Sequence, residues 1–293
     1  MRSLLFVPAD GGNKLEKALA SGADAVIIDL EDSIAPERKE SARAAAAACL
    51  NEAAPRVSRP RLLVRVNGIA TGLIDADFDA IVPARPDAIL LPKAEGGASV
   101  IHADAKLTAR EAISGLTEGH IKIVAQAIET AAAIFQIGTF GGASARLIGM
   151  TWGPEDLSAE VGAEANRDSE GRLTEPYGLA RSLCLFGAAA AAVSAIETVY
   201  VDFRNLDGLR RDTEDARRDG FSGRLAIHPA QVAIINEVFT PTTDALAKAR
   251  AIVVAFKAAP GAGAIGIEGK MYDRPHLVRA MQVIARAKAA GLS

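Results

Sequence analysis

Short apolar runs alternate with longer segments of helical pattern along most of the chain. Eight runs are nearly continuous in Val, Ile and Leu, as expected of strands buried on both faces of a parallel sheet. The runs cover residues 4–7, 25–30, 62–66, 88–91, 121–127, 147–150, 198–201 and 225–227. Eight strands alternating with helices predict an α/β fold of the (β/α)8 TIM-barrel type. A doubly wound open sheet is the alternative, because periodicity alone does not separate the two.

Helix-start signals follow most of the apolar runs. They are Pro36 ahead of Glu37, Thr130 ahead of 131–140, Pro176 ahead of 177–192, and Asn205 or Asp207 for a helix ending near Gly220.

A C-terminal tail of helical pattern follows the eighth run. It comprises a helix at 243–258, a Pro- and Gly-rich turn at 260–266 and a final helix. This is more chain than closing a barrel requires. We therefore expect a catalytic TIM-barrel domain at 1–240 and a C-terminal helical extension at 241–293 that packs on a neighbouring subunit.

Composition narrows the classes of function. Of the 293 residues 49% are hydrophobic and 24% charged, the balance of an ordinary globule rather than a disordered chain. The net charge of −3 and an aromatic content of 4% disfavour nucleic acid as a partner. No apolar run approaches about 18 residues, so no membrane helix is expected. Cys49 and Cys184 lie in helical patterns and are expected to be buried free thiols, which suits a reducing cytoplasm.

Charged side chains follow the predicted strands, where TIM barrels place their chemistry. Glu129 and Asp156 follow neighbouring strands five and six, and two such carboxylates can share Mg2+. Alternatively they cap helices or pair with Lys and Arg. Arg65, at the end of strand three, suits a substrate carboxylate. Its alternative is a structural ion pair with Glu31 or Asp32.

Other candidate chemistry is less favoured. The four histidines are dispersed and lack zinc-ligand spacing. His228 at a strand end is either an acid–base group or, as we favour, a hydrogen-bonded structural residue. Lys93 is either a Schiff-base lysine or, as we favour, the partner of a carboxylate at the barrel mouth. The G-x-G-x-x-G match at 261–266 follows a helix and has no acidic residue at 282–290, so no dinucleotide site is expected.

Taken together, several motifs resemble the citrate lyase β-subunit-like family, acyl-CoA lyases related to the metal-dependent pyruvate aldolases. The matching segments run in order through the chain at 2–8, 14–18, 22–33, 64–67, 91–93, 128–130, 152–157, 227–229 and 271–276. Two departures stand out. Tyr272 replaces the usual Ile of a Met-Ile-Asp triplet, and Pro154 replaces a residue that is often Ala.

The resemblance implies a (β/α)8 barrel assembled as a homotrimer or hexamer. It implies Mg2+, with Mn2+ as an alternative, held by Glu129 and Asp156, and a carboxylate- and carbonyl-binding arginine at Arg65. It further implies that Asp273 of the extension lies over the next subunit's site, where it would move a proton.

The reaction implied is Claisen-type carbon–carbon cleavage or formation. A 3-hydroxy-3-carboxy acyl-CoA such as malyl-CoA or citramalyl-CoA would split into an acyl-CoA and a 2-keto acid. Supporting roles fall to Glu31 and Asp32 beside the metal waters or Arg65, to Gly153, Pro154 and Glu155 around the substrate carboxylate, and to Lys14 and Arg2 for CoA phosphates.

Four other enzymes remain open as readings of the same motifs. One is a malyl-CoA thioesterase, and another is a citrate lyase β subunit working on an acyl-carrier-protein thioester. A third is a metal-dependent aldolase acting on free hydroxy-keto acids, which the absence of any histidine before His102 disfavours. The fourth is the Schiff-base aldolase built on Lys93.

Overall fold

The computed structural model describes residues 1–56 and 58–292. The chain divides into two compact units, the first spanning Met1–Asn236 and the second beginning at Glu237, within the last turns of a helix. In the first unit eight parallel strands close into a barrel in the order β1 to β8, each hydrogen-bonded to the next and β8 to β1. The predicted TIM barrel is confirmed.

The elements alternate as the apolar pattern indicates. The barrel strands are β1 Ser3–Pro8, β2 Ala25–Asp29, β3 Arg61–Arg65, β4 Ala88–Leu91, β5 Lys122–Ile128, β6 Leu147–Trp152, β7 Ser194–Glu197 and β8 Gly223–Ala226. The helices are α1 Asn13–Leu19, α2 Lys39–Ala53, α3 Ile74–Ile81, α4 Gly97–Ile113, α5 Ala131–Ile134, α6 Pro154–Val161, α7 Glu175–Ala190, α8 Leu206–Asp219, α9 Pro229–Phe239, α10 Thr243–Ala258 and α11 Arg274–Ala289.

Alternate strand positions fill the barrel interior. The inward side chains form one apolar cluster of buried residues, among them Leu4, Ile27, Leu63, Leu90 and Val124. Each such side chain contributes roughly 1.5–3 kcal/mol by leaving water. The interior is therefore a packed core rather than a channel, and polar chemistry is confined to the ends of the strands.

The predicted position of the seventh strand was wrong. It was expected at 198–201, but β7 is Ser194–Glu197. The Ala-rich stretch before it reads as uninterrupted helix, whereas α7 ends at Ala190 and Ala192 adopts a left-handed backbone with φ of 55°. The turn at Ala192 therefore comes earlier than expected, and β7 ends at Glu197 rather than at Asp202.

Helix starts follow the sequence signals closely. Thr130 caps α5 by accepting a hydrogen bond from the Ala133 amide, and Asn205 caps α8 by accepting one from Gly208. The helix expected at 131–140 is divided, because α5 ends at Ile134 and a 3-10 turn follows at Ile137–Phe140.

The second unit contains a hairpin that was not predicted. The segment expected to be only a turn continues into β9 (Ala264–Ile267), which pairs antiparallel with β10 (Lys270–Asp273). The helix predicted at 243–258 is α10, and a small core of Ala249, Ile252, Tyr272 and Ala280 joins these elements.

Two predictions about side chains and segments can be compared directly. Cys49 and Cys184 are both buried free thiols, as expected. Across the described ranges 1–56 and 58–292, none of the helices has the length and apolar character needed to cross a bilayer.

Candidate active site

A cavity of about 340 Å3 opens at the carboxyl ends of the barrel strands. Its lining comes from strands and the loops that follow them, including Phe6, Asp29, Arg65, Gln126, Gly153, Pro154, Glu155, Asp156, Val199 and Ile227. Because the packed core closes the barrel below, this mouth is where a small molecule can enter among charged groups.

Arg65 is held rigidly by Asp29 at this mouth. The two residues are register partners on β3 and β2, and Nε and NH2 of the guanidinium donate to the two carboxylate oxygens at 2.7 Å each. NH1 lies 3.0 Å from Glu31 Oε2, and the guanidinium stacks over the Phe6 ring at 4.9 Å.

Burial by itself would lower the pKa of Arg65, but the hydrogen bonds and charge of Asp29 raise it above its usual value. Burial would likewise raise the pKa of Asp29, and the hydrogen bonds from Arg65 lower it on balance. The pair is therefore fully charged at neutral pH. A guanidinium has five N–H donors, and the described residues engage at most three of them, so at least two remain for a ligand oxygen.

Lys93 bridges the carboxylates at the other side of the mouth. Its ammonium donates to Glu31 Oε1 at 2.6 Å and lies 3.4 Å from Asp156 Oδ1 and 3.6 Å from Asp32 Oδ2. Although burial alone would lower its pKa, Glu31 and the neighbouring carboxylates raise it. The favoured salt-bridge role is thus confirmed, and a neutral nucleophilic amine for Schiff-base chemistry is disfavoured.

Glu129 is buried behind the cavity lining. Its carboxylate accepts from Gln126 Nε2 at 2.6 Å and from the Lys93 backbone amide at 2.6 Å. Burial raises its pKa well above the usual value, and the negative charges of Asp156 and Glu31 add to the effect. A cation placed beside Glu129 would stabilise its ionised form.

A bulge in β5 brings Glu129 and Gln126 to the same side. Residues three apart on a regular strand face opposite sides. The pairing with β6 shifts between Gln126 and Ile128, which leaves Ala127 as an extra residue. Such a bulge re-aims the following side chains, so Glu129 faces Gln126 rather than the outer helices.

Gly153 provides the close approach that Glu129 requires. A Cβ at this position would lie 2.8 Å from Glu129 Cγ and 2.9 Å from its Oε1. The following residue, Pro154, opens α6, and Asp156 lies in its first turn. The positive end of α6 therefore borders the cavity.

These residues fit a divalent cation. Among residues 1–56 and 58–292 no three His, Cys, Asp or Glu converge as a metal-binding group. Mg2+, however, commonly takes only one or two carboxylates and fills its remaining positions with water and substrate oxygens. The carboxylates of Glu129 and Asp156 carry the hard oxygen atoms that such a cation prefers, and Gln126 Oε1 is a buried acceptor with no hydrogen-bond partner among the described residues.

Other predicted site residues lie in varied surroundings. Lys14 is exposed in α1 and does not line the cavity, while Glu155 lines it and accepts a hydrogen bond from Asn166 at 2.9 Å. Asp273 belongs to the second unit, where it ends β10 and caps α11 together with His276.

The suggestion that Arg2 meets CoA phosphates was wrong. Arg2 precedes β1 at the opposite end of the barrel, where its guanidinium binds Asp24 at 2.7 Å. His228 accepts a hydrogen bond from the Ala230 amide and stacks on Phe203 at 4.9 Å, which supports its structural reading.

Sequence reasoning missed three positioning groups, Asp29, Gln126 and Lys39. Lys39 holds the loop after β2 by donating to the carbonyls of Leu30 and Glu31 at 2.7 Å each. Asp29 precedes Glu31 by two residues, the spacing at which side chains of an extended strand face the same side. This spacing could have marked Asp29 as a residue of the barrel mouth.

Comparison with known proteins finds relatives over nearly the whole chain. Residues 2–229 match the family model described as HpcH/HpaI aldolase/citrate lyase, and residues 174–292 match one described as a C–C bond lyase of the TIM-barrel fold. The (3S)-malyl-CoA thioesterase of Cereibacter sphaeroides (strain KD131) is 37% identical, over 98% of this chain and 95% of the relative. The mitochondrial citramalyl-CoA lyase of Rattus norvegicus is 32% identical, over 98% of this chain and 86% of the relative.

A solved structure extends the likeness to three dimensions. Protein CitE from Mycobacterium tuberculosis, in complex with magnesium, acetoacetate and coenzyme A, has a TM-score of 0.77 and 30% identity. The match covers 98% of this chain and all of that one. With a family model spanning most of the chain and relatives above 30% identity over nearly its whole length, the protein belongs to the HpcH/HpaI aldolase/citrate lyase family of carbon–carbon lyases.

Proposed function

We propose that this protein is a metal-dependent lyase that splits a 3-hydroxy-3-carboxy acyl-CoA, such as malyl-CoA or citramalyl-CoA, into an acyl-CoA and a 2-keto acid. One observation carries the proposal: Lys93 contacts both Glu129 and Asp156 at a cavity that Arg65 lines. The citramalyl-CoA lyase and the structure with magnesium and coenzyme A support the choice of substrate class.

Glu129 and Asp156 would hold Mg2+, with Mn2+ as an alternative. When bound, the cation supplies Lewis-acid polarisation of the oxygens on the keto-acid half of the substrate. Glu31 and Asp32 lie in the same region. Glu31 contacts both Arg65 and Lys93, and the more exposed Asp32 lies near Lys93, so the two carboxylates orient these basic side chains.

Arg65 stabilises charge on the reacting oxygen. In the cleavage direction the bond between the thioester α-carbon and the carbinol carbon breaks, and its electron pair passes to the thioester enolate. The carbinol oxygen loses its proton and becomes the keto-acid carbonyl, while the α-carbon takes up a proton. An arginine fixed by Asp29 presents its remaining N–H donors to that oxygen without reorganising, an effect typically worth several kcal/mol.

The start of α6 suits the substrate carboxylate. Backbone amides at a helix N-terminus favour an anion, and Gly153, Pro154 and Glu155 all line the cavity. The Glu155 side chain is exposed and bound to Asn166, so it contributes through its backbone rather than its charge. Lys14, exposed in α1 after β1, remains a candidate for CoA phosphates.

Asp273 completes the reaction in this proposal. The extension at 241–293 would place it over the barrel of a neighbouring subunit in a homotrimer or hexamer, where it moves the proton at the α-carbon. Its pKa is lowered by the hydrogen bond from His276 in the subunit alone. Transfer to a drier interface would raise the pKa and strengthen the carboxylate as a base.

A thioesterase is the second candidate. The 37% identical relative carries that activity, and the same site could hydrolyse the thioester instead of breaking the carbon–carbon bond. An acyl-carrier-protein thioester would be a third form of the substrate.

The deciding experiment follows two products separately. Purified protein is incubated with malyl-CoA and citramalyl-CoA, with Mg2+ and then with EDTA, and keto acid and free thiol are measured. Keto acid formed only with metal and without thiol is the expected result. Thiol without keto acid would establish the thioesterase, and neither product would redirect the search to carrier-protein thioesters. Asp156→Asn should lose the metal-dependent product, whereas Asp168→Asn in a surface loop should retain it.

A further inference from the structure

Lys93 contacts both of the carboxylates proposed to bind the metal. Its backbone amide donates to Glu129 Oε2 at 2.6 Å, and its ammonium lies 3.4 Å from Asp156 Oδ1. The same ammonium donates to Glu31 at 2.6 Å. In the proposed reaction Lys93 carries out no bond-breaking or proton-transfer step.

The backbone of Lys93 is what makes both contacts simultaneous. It follows β4 with φ of 49°, in the left-handed region that side-chain-bearing residues rarely adopt. This conformation turns the amide toward Glu129 while the side-chain stem passes Gly68, where an added Cβ would stand 3.9 Å from both Lys93 Cβ and Cδ. Strained backbone of this kind is concentrated at functional sites.

The charges around Lys93 balance in a specific way. Arg65 is matched by Asp29 through two hydrogen bonds, so its charge is largely compensated there. When Glu31, Glu129 and Asp156 are all ionised, as a bound cation would favour, they share one ammonium, which leaves a charge of −2. Asp32 is 57% exposed and its charge is screened by water. A single divalent cation would neutralise the remainder.

We propose that Lys93 is an internal counter-cation that limits the affinity of the Glu129–Asp156 pair for a divalent metal while positioning both carboxylates. This inference rests on the proposed metal site. The ammonium repels a second cation in a partly buried setting, where charges interact strongly. Removing the ammonium charge therefore tightens metal binding.

The test is a titration with Mn2+, followed by electron paramagnetic resonance of the free ion. Lys93→Met should bind Mn2+ about tenfold more tightly than the wild type at low salt, and the gain should shrink as KCl is added. Lys93→Arg keeps the positive charge, so its Mn2+ affinity should stay close to that of the wild type. Lys106→Met, which removes a lysine paired with the distant Asp75, is the matched control and should change nothing.

Lys93→Gly removes the same charge and relieves the left-handed backbone, so it serves if the Met variant does not fold. Equal or weaker Mn2+ binding by a folded, charge-free variant overturns the inference while leaving the metal site standing. If the wild type binds no Mn2+, or Glu129→Gln leaves binding unchanged, the metal site fails and this inference with it.

Discussion

At the scale of single residues, the site depends on how closely the backbone at Gly153 approaches Glu129. The Glu129 carboxylate is nearly solvent-free and is held by Gln126 and the Lys93 amide. Gly153 itself donates a backbone hydrogen bond to Ile128 at 2.8 Å, so it cannot move away without breaking the end of the β5–β6 pairing. A side chain at this position must therefore displace Glu129.

Gly153→Ala should weaken divalent-metal binding by about tenfold or more, as perturbation of groups that orient a ligand commonly does. The cause is the added Cβ, which would lie 2.8 Å from Glu129 Cγ. Isothermal titration with Mn2+ measures the effect. Gly138→Ala is the control, because a Cβ there meets no atom of the described residues within 4 Å, and its Mn2+ affinity should match the wild type. Wild-type affinity in Gly153→Ala would show that Glu129 does not ligate the metal.

Residue-level prediction from the sequence reached the charged groups but not their pairing. The alternative interpretation of Arg65 was an ion pair with Glu31 or Asp32, and Arg65 lies near both. Its bidentate partner is Asp29, because β2 and β3 pair in parallel with those two residues opposite each other. Register of this kind is set by the closing of the whole barrel, so a local pattern cannot reveal it.

At the scale of elements, the strand pattern was informative and its irregularities were not. Seven of the eight apolar runs overlap their strands, since residues buried on both faces leave a continuous apolar signature. The bulge in β5 adds a single residue without any marker in the sequence, yet it brings Glu129 to the same side as Gln126, which lines the cavity. The seventh strand was misplaced because helix-forming alanines precede it and its four residues include Glu197.

A buried network of charged side chains stabilises the end of the barrel opposite the cavity. Arg146, immediately before β6, donates to both carboxylate oxygens of Glu111 at 2.7 Å and also pairs with Asp104. Glu111 further accepts from the amides of Gly119 and Ile121. This network joins α4 to the loop before β5 and to β6, at the end of a TIM barrel that serves stability rather than catalysis.

Glu111→Gln should destabilise the protein by about 3 kcal/mol at pH 7, because it removes the fully buried one of the two carboxylates that pair with the buried Arg146. Burial alone raises the pKa of Glu111, but the hydrogen bonds from Arg146 and the two amides lower it on balance. A carboxyl whose pKa is lowered by folding stabilises the folded state fully at pH values above its ordinary pKa of about 4.3. This contribution is lost as the pH falls from there through the lowered pKa.

The difference in unfolding free energy between wild type and Glu111→Gln should therefore shrink below about pH 4. Urea denaturation at pH 7 and at pH 3.5 measures it. Asp79→Asn is the control: its partner Arg110 lies at 2.7 Å but Asp79 is 67% exposed, so the loss should stay below about 1 kcal/mol. A difference that grows as the pH falls would contradict the assigned pairing.

At the scale of the whole molecule, the sequence predicts the architecture of the barrel but not the contact between subunits. The strand order, the closure of the barrel and the position of its mouth follow from eight repeats of one pattern, and these the sequence could predict. How the extension meets a neighbouring barrel does not follow from such a pattern. It depends on complementary surfaces of two folded subunits, and the prediction that Asp273 crosses to the next site rests on family resemblance.

Complementation between two inactive variants tests that arrangement. Asp273→Asn lacks the proposed proton carrier, and Glu129→Gln lacks a proposed metal ligand, so each alone should lose turnover. If every site combines the barrel of one subunit with the extension of another, mixed oligomers contain sites in which both residues are intact. Random mixing in equal amounts should restore about a quarter of wild-type activity in a closed ring with heterologous contacts.

The measurement is lyase activity after the two variants are unfolded together and refolded, compared with each variant refolded alone. Asp244→Asn, an exposed acidic residue in the first turn of α10, replaces Asp273→Asn in a control mixture and should itself remain active. Two inactive variants whose co-refolded mixture stays inactive, while a wild-type sample refolds to full activity, would place Asp273 and Glu129 in the same subunit's site. An Asp273→Asn variant that is active by itself would remove Asp273 from the reaction. Because Asp273→Asn leaves Glu129 and Asp156 untouched, its Mn2+ binding should remain normal, which separates loss of proton transfer from loss of the metal.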